Sequence, residues 1–146
     1  DEVRSFKETA GKTKIKAILG VGDLETLRNV AKASLVCMMA GADFIKTSTG
    51  KESINANLNN SLVMLRMIRD FYTKTGKKIG FKHAGGISTS KSVLDFLILV
   101  AEELGFEWVN PKLLRIGASS LLIDIERQLY HYTSGRYANK EKLAIG

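Results

Sequence analysis

The sequence predicts an α/β fold built on a parallel sheet, and three observations carry that prediction. Short apolar, β-type runs alternate with long amphipathic stretches along the chain. The run centres, near Ala17, Phe44, Gly80 and Leu114, lie 27, 36 and 34 residues apart, the size of a strand–helix–strand unit. Its 146 residues are 45% hydrophobic, enough for one buried core with helices covering a sheet.

An opening helix over residues 2–10 places Val3, Phe6 and Ala10 at helical spacing and stops at Gly11. Lys14–Leu19 alternates in polarity and reads as the first strand. A turn over Gly20–Gly22 leads to Asp23, an N-cap residue for a helix running to about Ala40. Asp43–Thr47 is the second strand. The polar loop Ser48–Asn57 leads to a helix over about Leu58–Thr73, which Gly76 closes off. Lys78–Lys82 is the third strand. Ser88–Ser90 caps a helix over about Lys91–Leu104, stopped by Gly105, with Trp108 filling the connection that follows. Leu113–Ile116 is the fourth strand and Ser120–Tyr132 the last helix; a polar tail follows Gly135. Cys37, Met38 and Met39 fall inside the second helix and read as core.

Composition narrows the function. The 22 Lys and Arg against 15 Asp and Glu give a net charge of +7, which suits a nucleic acid or a phosphorylated small molecule equally. Aromatics are 8% of the chain and do not interleave with Lys or Arg as a base-stacking platform requires, so no nucleic-acid partner is expected. No apolar run approaches the roughly 18 residues of a membrane helix, so no membrane partner is expected either. One cysteine excludes an intramolecular disulfide and favours a reducing, cytoplasmic location. His131 has no second His or Cys nearby, and no metal site is expected.

In parallel α/β folds, ligands bind at the C-terminal ends of the strands. Three of those ends are rich in Lys, Gly and hydroxyl residues: Lys46-Thr47-Ser48-Thr49-Gly50-Lys51, Lys82-His83-Ala84-Gly85-Gly86 and Arg115-Ile116-Gly117-Ala118-Ser119-Ser120. Lys46 closes an apolar strand, and Lys82 holds the corresponding place on the next one, 36 residues later. Two ammonium groups on neighbouring strands repel, which leaves one amine neutral and able to attack a carbonyl. Alternatively, each lysine snorkels to solvent from its strand end. Gly85-Gly86 and Gly117 to Ser120 follow consecutive strands. They read either as a phosphate cradle of backbone N–H groups at a helix start or as tight turns and a cap.

The segments GADFIKTSTGK (41–51), GFKHAGGI (80–87) and RIGASSLL (115–122) resemble the signature stretches of the deoxyribose-phosphate aldolase family. The likeness runs from about Asp1 to Tyr137, in order and spacing. It implies a class I aldolase on a (β/α)8 barrel, needing no cofactor or metal. Such an enzyme reversibly cleaves 2-deoxy-D-ribose 5-phosphate to acetaldehyde and D-glyceraldehyde 3-phosphate. On that resemblance Lys46 is the Schiff-base lysine and Lys82 the lysine that tunes it and assists proton transfer. Thr49 and Lys51 contact the sugar phosphate; Gly85, Gly86, Gly117, Ser119 and Ser120 hold the phosphate.

The chain departs from the family pattern in three places. His83 stands where the motif has Pro and reads as a tolerated loop change, and Ser88 stands where it has Arg. The four strand–helix units, over residues 1–137, correspond to strands five to eight, with 138–146 a tail. The half that carries the family's relay aspartate is then expected to lie outside these residues, and Asp43 sits at the wrong strand end to replace it. A half-barrel exposes two sheet edges and an inner face, so a homo-oligomer, with a phosphorylated sugar as ligand, is expected. A non-catalytic phosphate-binding or protein-interaction module on the same scaffold is the alternative.

Overall fold

The computed structural model describes residues 1–52, 55, 57–139 and 143. Helix α1 (Glu2–Ala10) precedes four strand–helix units: β1 (Lys16–Ile18) with α2 (Leu27–Met39), β2 (Phe44–Lys46) with α3 (Leu58–Thr75), β3 (Gly80–Ala84) with α4 (Ser90–Leu104), and β4 (Leu114–Gly117) with α5 (Leu121–Ser134). The four strands form one sheet in sequential order, every pair parallel. This is the arrangement of half a TIM-type (β/α)8 barrel. Residues 53, 54, 56, 140–142 and 144–146 lie outside the described residues, and with them most of the tail expected over 138–146.

The element order matches the sequence reading, while several boundaries move for local reasons. The second helix begins four residues after Asp23: Thr26 is the N-cap, its hydroxyl accepting from the Asn29 N–H. Ahead of α4, Thr89 and Ser92 form a reciprocal capping box. Asn57 caps α3 in the same way, accepting from the Asn60 N–H. Met38 is core, but Met39 points outward at 71% exposure, because the helical turn of about 100° per residue carries it off the buried face of α2. Trp108 fills the connection before β4, buried and donating its indole N–H to the Ile79 carbonyl at 3.0 Å. Among the described residues no helix is long and apolar enough to cross a membrane.

Strand alternation divides the sheet into two unlike faces. The outer face carries Ile45 and Phe81. With Val30, Met38, Met64, Leu65, Ile68 and Val100 from α2, α3 and α4 they form the main core. A smaller cluster of Ile87, Val93 and Leu121 joins α4 and α5 over β4. The inner face carries Lys16 and Ile18, Phe44 and Lys46, Gly80 and Lys82, and Arg115 and Gly117. None of the described elements covers it, and Ile18 is half exposed there. At the opposite end of the strands from the lysines, Asp43 accepts from Lys7 Nζ at 2.7 Å and from the Ile15 N–H at 2.9 Å. Burial works against its charge, but those hydrogen bonds outweigh it and hold the carboxyl below its ordinary range.

His83 corrects the sequence reading. The third strand runs two residues later than its apolar pattern suggested, so His83 lies within β3 rather than in a loop. It faces outward, away from the lysines, and is fully buried beneath α3 and α4. Its Nδ1 pairs with Ser61 Oγ at 3.1 Å, its ring packs 3.6 Å from that of Phe96, and its Nε2 has no partner among the described residues. Burial, opposed by the Gly85 backbone, pushes the imidazole down to about 4.

The unfolded chain takes up that proton near pH 6.5, whereas the folded protein resists it down to about 4. Stability is therefore full above the unfolded value and falls as the pH drops from there toward the folded one. We expect thermal melting to lose roughly 1 kcal/mol of stability between pH 7 and 5.5, with His83→Gln flattening that slope. An unchanged slope in the variant assigns the loss to other groups.

Candidate functional site

The chemistry-bearing residues gather at the C-terminal ends of β2, β3 and β4. Lys46 and Lys82 are direct register partners across β2 and β3, and Arg115 continues the same row on β4. Adjacent strands are about 4.8 Å apart, so the row sets three cationic side chains side by side on the inner face. Above it opens a cavity of about 290 Å³ lined by Lys46, Thr49, Lys51, Gly85, Gly86, Gly117 and Ser119, with Gly50, Ala84, Ile87 and Ala118. Of the nine residues expected at the site, seven line this cavity. Lys82 sits at its margin, its stem running against Gly117, where an added Cβ would lie 3.0 Å from Lys82 Cε.

The hydroxyls of the first loop divide between structure and site. Thr47 and Ser48 are fully buried. The Thr47 hydroxyl accepts from the Ala84 N–H at 3.0 Å and donates to the Ala84 carbonyl at 3.1 Å; Ser48 Oγ donates to that carbonyl at 2.7 Å. Together they tie the ends of β2 and β3 together just above the lysine row. Thr49 stands exposed beyond them, its N–H and hydroxyl held by the Glu52 carboxylate at 2.8 and 3.1 Å. Lys51 is exposed, its N–H bonded to Thr49 Oγ1.

Gly85 and Gly86 both have positive φ, at 91° and 79°, which lets the loop turn sharply over the cavity. Asn55, which sequence reasoning did not single out, lies so close to Gly85 that an added Cβ would stand 2.5 Å from its Oδ1. Ser120 lies outside the lining of this cavity. It is the N-cap of α5 with no side-chain cap bond, and it lines a neighbouring cavity of about 160 Å³ with Ser88, Ile123, Asp124 and Arg127. The charge missing at Ser88 is thus accompanied by a guanidinium reaching the same pocket from α5.

Electrostatically the inner face has one sign. Among the described residues none of Lys16, Lys46, Lys82 and Arg115 forms an ion pair. Burial, then the nearby charges of Lys16 and Arg115, hold the Lys82 amine below its ordinary range. Lys16 was absent from the sequence reading as a site residue, and Arg115 entered it only as the start of the fourth strand end, with no role of its own. Their alternation with apolar neighbours in KIKAIL and LLRI was visible, but only the register brings them beside Lys82. Among the described residues no group of three or more His, Cys, Asp or Glu could hold a metal.

Thr47→Val keeps the shape of the buried hydroxyl residue and leaves the Ala84 N–H unsatisfied, a loss of about 1–3 kcal/mol. Chemical denaturation reads that loss directly; a variant as stable as wild type would show that the strand ends do not depend on this tie.

Residues 1–122 match the model of the DeoC/LacD family of aldolases. Over 138 residues the chain is 61% identical to the deoxyribose-phosphate aldolase of Homo sapiens and 62% to that of Mus musculus. Each match covers 94% of this chain and 43% of the relative, so the chain spans less than half the length of the curated relatives it matches. Among solved structures, an apo-form assigned as a deoxyribose-phosphate aldolase from Toxoplasma gondii superposes with a TM-score of 0.79 at 24% identity, covering 89% of this chain and 50% of that one. A counterpart from Coccidioides immitis gives a TM-score of 0.64 at 25% identity, covering 82% and 40%. The solved structures share the fold, and the family match extends through all three strand-end motifs: the chain belongs to the DeoC/LacD aldolase family.

Proposed function

We propose that these residues form the lysine half of a class I aldolase site that reversibly cleaves 2-deoxy-D-ribose 5-phosphate. The observation that carries the proposal is the register pairing of Lys46 with Lys82 beneath a glycine- and hydroxyl-lined cavity. Lys46 lines the cavity and is the nucleophile: its amine adds to the substrate carbonyl and water leaves, giving an iminium. The iminium draws the electron pair of the breaking carbon–carbon bond and releases D-glyceraldehyde 3-phosphate. Protonation of the remaining enamine and hydrolysis then free acetaldehyde and the Lys46 amine. Lys82, held toward its neutral form by burial and by Lys16 and Arg115, moves the protons. Gly85, Gly86, Gly117 and Ser119 offer backbone and hydroxyl groups to the phosphate, with Thr49 and Lys51 toward the sugar; Ser120 approaches from the α5 N-terminus. The lone Cys37 suits a reducing cytoplasm.

One observation favours the alternative of a non-catalytic phosphate-binding module: among the described residues no carboxylate lines the cavity. Incubation with acetaldehyde and borohydride, followed by peptide mapping, separates the two. We expect one two-carbon adduct, on Lys46, abolished by Lys46→Met. No adduct, or an adduct on Lys82 in the wild type, rejects the assignment.

The two open edges, β1 and β4, lead us to propose self-association of this chain. Light scattering at micromolar concentration is expected to give a dimer or larger species, and a monomer counts against it.

A further inference from the structure

On the inner face, position 80 is a gap. Gly80 pairs with Phe44, and the Phe44 ring lies where a Gly80 side chain would be: an added Cβ would come 2.1 Å from the ring. Arg115 starts on the far side of that gap, beside Lys82 in the lysine row, and reaches down over it. Its guanidinium carbon stands 4.6 Å from the centre of the Phe44 ring. A guanidinium on an aromatic face is held by the ring quadrupole, so a side chain that is otherwise exposed acquires a fixed seat. Phe44 is itself nearly fully buried, which makes the seat rigid.

We infer that Arg115, the register partner of Lys82 seated on Phe44 across the gap at Gly80, is a positioning residue for Lys82: it fixes a permanent positive charge on the neighbouring strand and so favours the proton-accepting form of the Lys82 amine. This rests on the reading of Lys82 as the proton-moving group. Around Lys82 the charged groups are Lys16 from β1, Lys46 from β2 and Arg115 from β4. Arg115 is the one that never loses its charge. The guanidinium contributes the same repulsion at every working pH. Its place follows from three residues together: a glycine that leaves the gap, an aromatic ring that fills it, and an arginine long enough to span it.

Trace acetylation of the intact chain with acetic anhydride across a pH series, with peptide mapping, reads the titration of each lysine without any aldehyde present. In Arg115→Met, which keeps an apolar stem over the ring but removes the charge, the Lys82 midpoint is expected to rise by roughly half a pH unit. Arg115→Lys, which restores a cation, is expected to return it most of the way. A midpoint unmoved in Arg115→Met overturns the inference, and so does an equal rise in both variants. Because Schiff-base trapping at Lys46 is a separate measurement, failure there leaves this result readable, and failure here leaves the trapping result intact.

Discussion

The parallel pairing of β2 with β3 is the constraint on which the rest of the site depends. It places Lys46 and Lys82 in one register row, and two ammonium groups in one row repel. At 4 Å in water that repulsion is about 1 kcal/mol, and a few times more where solvent is partly excluded. The sheet withstands it because the opposing terms are larger. The backbone ladder contributes on the order of 1 kcal/mol per bond, and the Thr47 and Ser48 hydroxyls add three buried bonds at Ala84. Ile45 and Phe81, fully buried between the two lysine strands and the helices, add about 1.5–3 kcal/mol each. Repulsion that would separate free side chains is converted into a shifted protonation equilibrium.

The two faces of the sheet share this work unequally. The outer face provides the binding energy, through α2, α3, α4 and the Trp108 plug. The inner face is nearly free of apolar packing apart from Phe44 and Ile18, and its cations stay close to solvent. Even His83 follows this division: one residue beyond Lys82, it turns to the outer face, where burial keeps it neutral and Phe96 and Ser61 hold it. Adjacent positions on β3 thus carry a half-buried lysine and a fully buried histidine.

Most of the fold was legible in the sequence because strand and helix patterns alternate at a regular period, and the three strand-end motifs fixed which end carries chemistry. What was not legible depends on distances the pattern does not contain. The third strand could not be placed to the residue, because Lys82 and His83 interrupt its short apolar run and the strand continues through them to Ala84. Ser119 and Ser120 are neighbours in the sequence, yet a helix start turns successive residues in different directions: Ser119 lines the main cavity and Ser120 the adjoining one. Lys16 and Arg115 were invisible as site residues, since their relevance is a register property spanning four strands.

That register has a consequence for whatever covers the inner face. Lys16, Lys46, Lys82 and Arg115 have no carboxylate partner among the described residues. An apolar cover would strip water from four cations with nothing in return, at several kcal/mol per buried charge. A second copy laid face to face would add four more of the same sign. A stable cover therefore has to bring acidic groups, or leave the row wet while pairing only at the edges of β1 and β4. The first case deepens the electrostatic coupling around Lys82, because each removed water lowers the local dielectric. The second leaves it as it stands here. Either way, the protonation of the lysine row reports on what lies across from it.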